Sequence, residues 1–304
     1  MGNSRLDSAD GIGRRHDLAG LVGGEELLNR RLLSWNLFHG RDFPPEPKPG
    51  EAGLSWKVMG RRVPGREHVL LNRDLFDEFA AFLAAAKWDI ALLQEVPPRW
   101  DERLARATSS FEFRALTSRN WMSPVMSPVA RLRPHLPGSW EGGSNLILVR
   151  KDRPGSLATQ RASKTLCWLP ERRTMSMVRM ADGLCVANFH ASTGQAKGER
   201  DVMRAAAEAI KWAGDDRPLV LGGDFNIRPG KSEVFQQLQD EYGFSLPTEH
   251  GSIDHILLRG GIVERPTSSW SPERRDVPDP ESDLMIRLSD HSPVISRIST
   301  GDRI

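Results

Sequence analysis

The sequence predicts a mixed α/β or α+β sandwich, with β-sheets inside and helices outside. Two observations carry that reading. Apolar runs of strand length alternate with amphipathic stretches, in the order strand, helix, strand, helix, several strands, helix, strand, helix, two strands. Polar residues also gather at or just beyond the ends of the predicted strands: Asn36, Glu95, Asn145, His190, Asp224, Asn226, Asp254, Asp290 and His291. In sheet proteins, strand ends and the loops beyond them are where functional groups are carried.

The 304 residues, 38% of them hydrophobic, suffice for a sizeable core. The 42 basic and 40 acidic residues nearly cancel to a net charge of +2, which permits a phosphate-bearing substrate without demanding one. Cys167 and Cys185 exclude a disulfide framework; they can pair only on neighbouring strands, and two buried thiols in a reducing compartment are expected. No apolar stretch reaches the length of a membrane span. Arg5, Arg14 and Arg15 are not followed by the apolar segment of a secretory signal, so a cytoplasmic location is expected. There is no internal repeat, no convincing linker and no motif that implies a protein partner. The expected organisation is a tail over 1–29, with a short helix near Glu25 to Leu28, and one domain over 30–304.

Taken in order, Arg31 to Phe38 reads as the first strand, and residues 39–68, rich in Pro, Gly and charge, as a long loop. Asn72 is placed to cap a helix running to about Ala86, with Leu75, Phe76, Phe79, Phe82 and Leu83 on one stripe. Asp89 to Val96 reads as a buried strand, Pro97-Pro98 opens a helix through Leu104, and Phe111 to Leu116 reads as a strand. Asn120 to Gly143 is a second long loop, holding Trp121 and Trp140 with Arg119, Arg131 and Arg133. Ser144 to Arg150, Lys164 to Leu169, Thr174 to Met180 and Leu184 to His190 suit an antiparallel meander with Asp182-Gly183 as a hairpin turn. A helix over about Lys197 to Trp212 faces Val202, Ala206, Ala209 and Ile210 inward. Within Pro218 to Asn226, the apolar run Leu219 to Leu221 reads as a buried strand, and a helix runs from Pro229-Gly230 through Leu238. Ile253 to Leu258 and Pro293 to Ile298 close the chain as strands, separated by a charged, Pro-rich loop.

The chemistry centres on PLVLGGDFN. An apolar run meets two glycines, which permit a sharp bend, and Asp224 and Asn226, two apart, share one face of an extended chain. Glu95 ends an otherwise apolar strand, and Asn36 and Asp290 hold equivalent positions on others. Hard oxygen donors of this kind suit Mg²⁺ or Mn²⁺ rather than structural zinc. His190 and His291 each sit beside other polar groups, where an imidazole can move a proton or donate to a developing oxyanion. Asp254 could orient one such ring and favour its charged form.

Together these segments resemble the endonuclease/exonuclease/phosphatase superfamily, which has the deoxyribonuclease-I-like fold. The matching motifs are SWNLFHG around Asn36, LLQEV around Glu95, GGSNLILVR around Asn145, VANFHAS around His190, GGDFN, SIDHILL around Asp254, and SDHSPV around Asp290 and His291. They follow the family's order and span nearly the whole chain beyond the tail. The resemblance implies a four-layer α/β/β/α sandwich of two mixed sheets flanked by helices, and metal-dependent hydrolysis of a phosphate ester. It implies Glu95 as principal metal ligand with Asn36 and Asp290 nearby, and Asp224 orienting the attacking water. Asn226 and His190 would contact the phosphoryl group, Asp254 and His291 would form the family's Asp–His pair, and Asn145 is carried over as a substrate contact.

One departure stands out. Family members that cut at abasic sites usually carry a tyrosine before the strand occupied here by SNLILVR. This chain has one tyrosine, Tyr242, elsewhere, and only Trp140 nearby. A dedicated abasic-site repair role is therefore not expected. A nuclease would use Trp140 of the 120–143 loop, with Arg119 just before it, as a phosphate-binding and stacking surface for DNA or RNA. A phosphatase or phosphodiesterase on a small molecule or lipid headgroup would instead close the 39–68 loop over its pocket.

Overall fold

The computed structural model describes residues 27–46, 62–71, 73–117, 142–169 and 171–301, with Val129 alone between the third and fourth stretches. The first sheet has six strands in the order β12-β15-β1-β4-β6-β5: Ile262–Ser269, Val294–Gly301, Leu27–Asn36, Ile90–Val96, Ser144–Arg150 and Ser110–Leu116. The second has five in the order β11-β10-β9-β8-β7: Asp254–Arg259, Leu219–Asp224, Cys185–His190, Arg173–Met180 and Ala158–Cys167. Both sheets are mixed, since β1 runs parallel to β4 and β9 parallel to β10 while the other pairs within them are antiparallel.

Alternation along the strands builds the layers. On β4, Ile90 and Leu92 face the second sheet, meeting Val178, Val186, Val220 and Ile256 in an inter-sheet core. Ala91 and Leu93 face outward, packed with the helices α1 (Phe76–Ala85) and α2 (Asp101–Ala107) through Phe79, Leu83 and Leu104. On β10, Leu219 and Leu221 face α3 (Gln195–Ala213) and α4 (Val234–Tyr242). Strands buried on both faces read as continuous apolar runs, which is why β4 and β10 are conspicuous in the sequence. The expected four-layer sandwich is observed.

Several expectations are corrected. Leu27 and Leu28, assigned to a short helix, are extended and open β1, which ends at Asn36 rather than Phe38. The four-strand meander is three strands: β6 pairs with β4 and β5 in the first sheet, and only β7, β8 and β9 run as a meander. Its turn is at Asp182-Gly183, where the Met180 amide donates to the Leu184 carbonyl at 2.8 Å. The 39–68 loop is interrupted near its end by a small hairpin, with β2 (Val63–Pro64) inside it and β3 (Val69–Leu70) just beyond it. The charged loop before the last strand holds β12, β13 (Asp276–Pro278) and β14 (Met285–Arg287). β12 alternates with mostly exposed residues on an edge, so it lacks the apolar run that reveals a buried strand. α1 has no side-chain cap at Leu75, and Asn72 lies outside the described residues. Cys167 on β7 and Cys185 on β9 are separated by β8, and both are free. No helix among the described residues is long and apolar enough to cross a membrane.

Candidate active site

The expected site residues arrive from both sheets. Asn36 ends β1, Glu95 lies in β4 and Asp290 and His291 precede β15, all in or beside the first sheet. His190, Asp224 and Asp254 come from β9, β10 and β11 of the second, with His190, Asp224 and Asp254 side by side in register. That register explains why VANFH, GGDFN and SIDH act as one unit although they are far apart in sequence.

Glu95 sits at φ +51° in a bulge where the β4–β6 pairing skips between Leu93 and Val96. The bulge breaks the alternation that would otherwise bury Glu95 or point it at α1. His39 Nε2 lies 3.2 Å from Glu95 Oε2 and His190 Nδ1 3.7 Å from Oε1. Burial opposes ionisation of Glu95, but His39 and a hydrogen bond from Asn36 hold its carboxyl below the usual range. His39 lies in SWNLFHG, where the sequence alone gives it no role. It stands in a left-handed turn with Phe38 and Gly40, closed where a Cβ on Gly40 would strike Trp100 at 2.2 Å.

Asp224 is buried and receives hydrogen bonds from Asn36 Nδ2 at 3.1 Å and from the Asn226 amide at 2.9 Å. Asn226 takes φ +54° to make that turn, and its Nδ2 donates to the Ala191 carbonyl at 3.0 Å. Burial, then the charge of Asp254, pushes the Asp224 carboxyl up to about 7. His291 Nδ1 lies 2.7 Å from Asp254 Oδ2, and its Nε2 lies 3.8 Å from both Asp224 and Asp290. Burial works against charge on this ring, yet Asp254's charge and hydrogen bond raise it to about 10, so it is an imidazolium at neutral pH. His190 goes the other way. Burial and then Arg173 lower it to about 3, so it is neutral and its 3.4 Å approach to Asp224 is no ion pair. Two histidines of one site thus carry opposite protonation states.

Burial and then Glu95 raise the Asp290 carboxyl, while His291 lowers it. Two acids that crowd one another at a sheet edge, with an amide between β1 and β10, fit a divalent cation bound through hard oxygen donors. Asn145 is fully buried; its Nδ2 donates to the Thr174 carbonyl at 2.7 Å across the two sheets, and its Oδ1 has no partner. Arg119 and Trp140, with Trp121, Arg131 and Arg133, lie outside the described residues.

Two supports escaped sequence reasoning. Arg275 donates to the carbonyls of Ser289 at 2.7 Å and His291 at 3.1 Å, and Ser289 Oγ donates to the Asn36 carbonyl at 2.6 Å, so the SDHS loop is clamped to β1. His255 accepts from the Thr248 amide at Nδ1 (3.2 Å) and faces the Ile227 carbonyl from Nε2 (3.0 Å). A carbonyl only accepts, so the ring is the neutral Nε2–H tautomer. Packed against Phe225 and Phe235, it fixes the chain just after Asn226. Its adjacency to Asp254 in SIDH is a signal that could have found it.

Burial lowers His255 from 6.5 to about 4. Between those values the unfolded chain binds the proton and the folded chain does not, so stability falls as pH drops through the window and is intact above it. The linkage is worth roughly 3 kcal/mol at full extent. Acid titration of the melting temperature is expected to show a steeper fall between pH 6.5 and 4 in the wild type than in His255→Gln. Equal slopes would remove His255 from the account.

Residues 33–291 match the family model described as Endonuclease/Exonuclease/phosphatase family. Among solved structures, a protein of that family from Bacteroides thetaiotaomicron aligns with a TM-score of 0.59 at 15% identity, covering 91% of this chain and 96% of that one. A mannosyl-6-phosphatase from the same organism gives 0.57 at 15% identity, over 88% of this chain and 99% of that one. TDP2 from C. elegans gives 0.52 at 14%, over 91% of this chain and 77% of that one. No curated protein matches the chain in sequence. The solved structures establish likeness of fold, and the sequence match spans every site residue described above from Asn36 to His291; on that match, the chain belongs to the endonuclease/exonuclease/phosphatase family, whose members hydrolyse phosphoester bonds.

Proposed function

We propose that this chain is a Mg²⁺-dependent phosphodiesterase of nuclease type that cleaves a P–O bond by attack of water. The observation that carries the reading is the cluster of Asp224, Asp254 and His291, whose ligand-type atoms lie within 4.8 Å of one another beside Glu95 and His190. The 2.7 Å bond between His291 and Asp254 commits those two to each other, so we read the cluster as a proton-handling unit rather than a cation site.

Glu95, Asn36 and Asp290 would hold the cation; Mn²⁺ suits the same donors. Bound there, it would neutralise charge on the phosphoryl group and on the leaving oxygen. Asp224, oriented by Asn36 and Asn226, takes a proton from the attacking water. The His291 imidazolium, fixed by Asp254, stabilises the phosphoryl oxygens as charge builds. Neutral His190 donates one hydrogen bond to the phosphate, and Asn226 helps hold it. Buried Arg173, which acts on His190 electrostatically, adds a fixed positive charge behind it. Asn145 serves as the tie behind the substrate. Arg119 and Trp140 remain the proposed contacts for DNA or RNA. The two free thiols suit a reducing cytoplasm.

A second reading, hydrolysis of a sugar phosphate, is supported by the mannosyl-6-phosphatase neighbour, 99% of which is covered. A substrate panel separates them: plasmid DNA, single-stranded RNA, a sugar 6-phosphate and bis-p-nitrophenyl phosphate, each with and without Mg²⁺. Expected are Mg²⁺-dependent cleavage of the diesters, its loss with a chelator, and its loss in Glu95→Ala. Cleavage of the sugar phosphate alone would favour the second reading. Undiminished hydrolysis by Glu95→Ala would sink the metal assignment.

A further inference from the structure

A second group of ligand-type side chains lies outside that site. One ring nitrogen of His68 and one carboxylate oxygen from each of Glu46 and Glu67 lie within 4.8 Å of one another. Glu46 ends the described stretch after the first strand, and Glu67 and His68 lead into β3. Glu46 is half-buried and Glu67 exposed, but His68 is only 4% exposed.

Acidic surface residues often meet without a ligand, so the histidine decides the matter. His68 Nε2 lies 3.1 Å from Asp276 Oδ2. Asp276 is gripped by Arg287, through Nε at 2.7 Å and Nη2 at 2.8 Å. Burial opposes ionisation of Asp276, but the hydrogen bonds of Arg287 and His68 hold its carboxyl below the usual range. A carboxylate only accepts, so Nε2–H donates to Asp276, and the neutral form of the ring then presents its lone pair at Nδ1. That Nδ1 is buried and has no hydrogen-bond partner. Buried polar atoms are normally satisfied, so an exception asks for a ligand.

We propose that His68 Nδ1, Glu46 and Glu67 form a second, peripheral divalent-cation site, best matched to Zn²⁺. One imidazole with two carboxylates is a zinc-type donor set, unlike the all-oxygen set of the catalytic edge. The Asp276–His68 contact supplies the carboxylate that commonly orients a metal-binding imidazole through its other nitrogen. Arg287 offsets the charge of Asp276, which leaves the charges of the two glutamates to meet a divalent ion. The Glu67 amide already donates to Glu46 Oε1 at 3.2 Å, so these residues are brought together without the ion. The Met285 amide donates to the Glu67 carbonyl at 2.8 Å, which joins the cluster to β14. A bound ion would therefore fasten three segments: the chain at Glu46, the β2–β3 hairpin and β14.

The test uses the full chain carrying Glu95→Ala and Asp290→Ala, which weakens cation binding at the catalytic edge. After chelation and dialysis, calorimetric titration with Zn²⁺ is expected to find about one equivalent, and Co²⁺ to give visible absorption bands with the intensity of a low-coordinate site. Adding Glu67→Gln, at an exposed position, is expected to weaken Zn²⁺ binding by roughly tenfold or more with the apo melting temperature unchanged. Glu46→Gln is a second variant with the same expected result. No Zn²⁺ binding in the starting variant would overturn the proposal, as would unchanged affinity and stoichiometry in both glutamine variants. None of these readouts depends on phosphoester hydrolysis.

Discussion

His291→Ala is expected to lower kcat for phosphodiester hydrolysis by roughly 10²–10⁴-fold. The ring is locked to Asp254 at 2.7 Å and faces Asp224 and Asp290 at 3.8 Å, so its charge has three acidic neighbours and no substitute. Alanine removes that cation and strands Asp254, whose Oδ1 is already buried without a partner. A pH profile gives a second, sharper readout. The charge of His291 lowers the Asp224 carboxyl, which stands at about 7 with His291 present. Without the imidazolium, Asp224 holds its proton more tightly. Because the reaction needs the ionised form, the acidic limb of the rate profile is expected to move to higher pH in the residual activity of His291→Ala. Stopped assays over pH 5 to 9 would measure it. An unmoved limb, or a kcat within about threefold of wild type, would remove His291 and Asp224 as a working pair.

Gly223→Ala is expected to destabilise the fold by more than about 4 kcal/mol, placing it among the most damaging single substitutions. Gly223 has φ +137°, and a Cβ built there lies 1.9 Å from the carbonyl oxygen of Phe189. That oxygen belongs to the backbone of β9, paired with Gly223 in register, so no side-chain rotation relieves the overlap. Strands β9 and β10 would have to part where the chain next reaches His190 and Asp224. Activity and stability should therefore be lost together. Gly251→Ala is the control, since nothing lies within 4 Å of a Cβ built there. Chemical denaturation of both proteins would decide it, and a loss below about 1 kcal/mol in Gly223→Ala would show that the strands tolerate the methyl group.

Much of this arrangement is legible in the sequence because it rests on buried strands. β4, β9 and β10 are largely apolar on both faces, so a charged residue or histidine at or near the end of each is conspicuous. Glu95, His190 and Asp224 stand out for that reason. His39 does not, since it follows a strand end in a left-handed turn whose geometry depends on Trp100, far along the chain. Arg275 is hidden similarly: it sits in a charged, Pro-rich segment that resembles solvated loop, and its value comes from the carbonyls of Ser289 and His291 that the fold brings to it. The assignment of Ser144–Arg150 to the wrong sheet has the same origin. Alternation reveals a strand but does not say which of two sheets will pair with it.

Gln94 and Asn188 meet in the middle of the sandwich, where Gln94 Nε2 donates to Asn188 Oδ1 at 2.8 Å and Asn188 Nδ2 donates to the carbonyls of Leu93 at 2.9 Å and Leu146 at 3.0 Å. Both amides are fully buried. Two oily faces can slide over one another at little cost, whereas a directional bond between them holds only at one offset. Glu95 follows Gln94 directly and His190 lies two residues beyond Asn188, so this latch sets how far apart the two halves of the reaction centre stand. The loops above are then free to be lengthened, shortened or exchanged without retuning that separation. Such a division of labour would let one sandwich acquire new substrates by redecorating its rim while its chemistry stays in alignment.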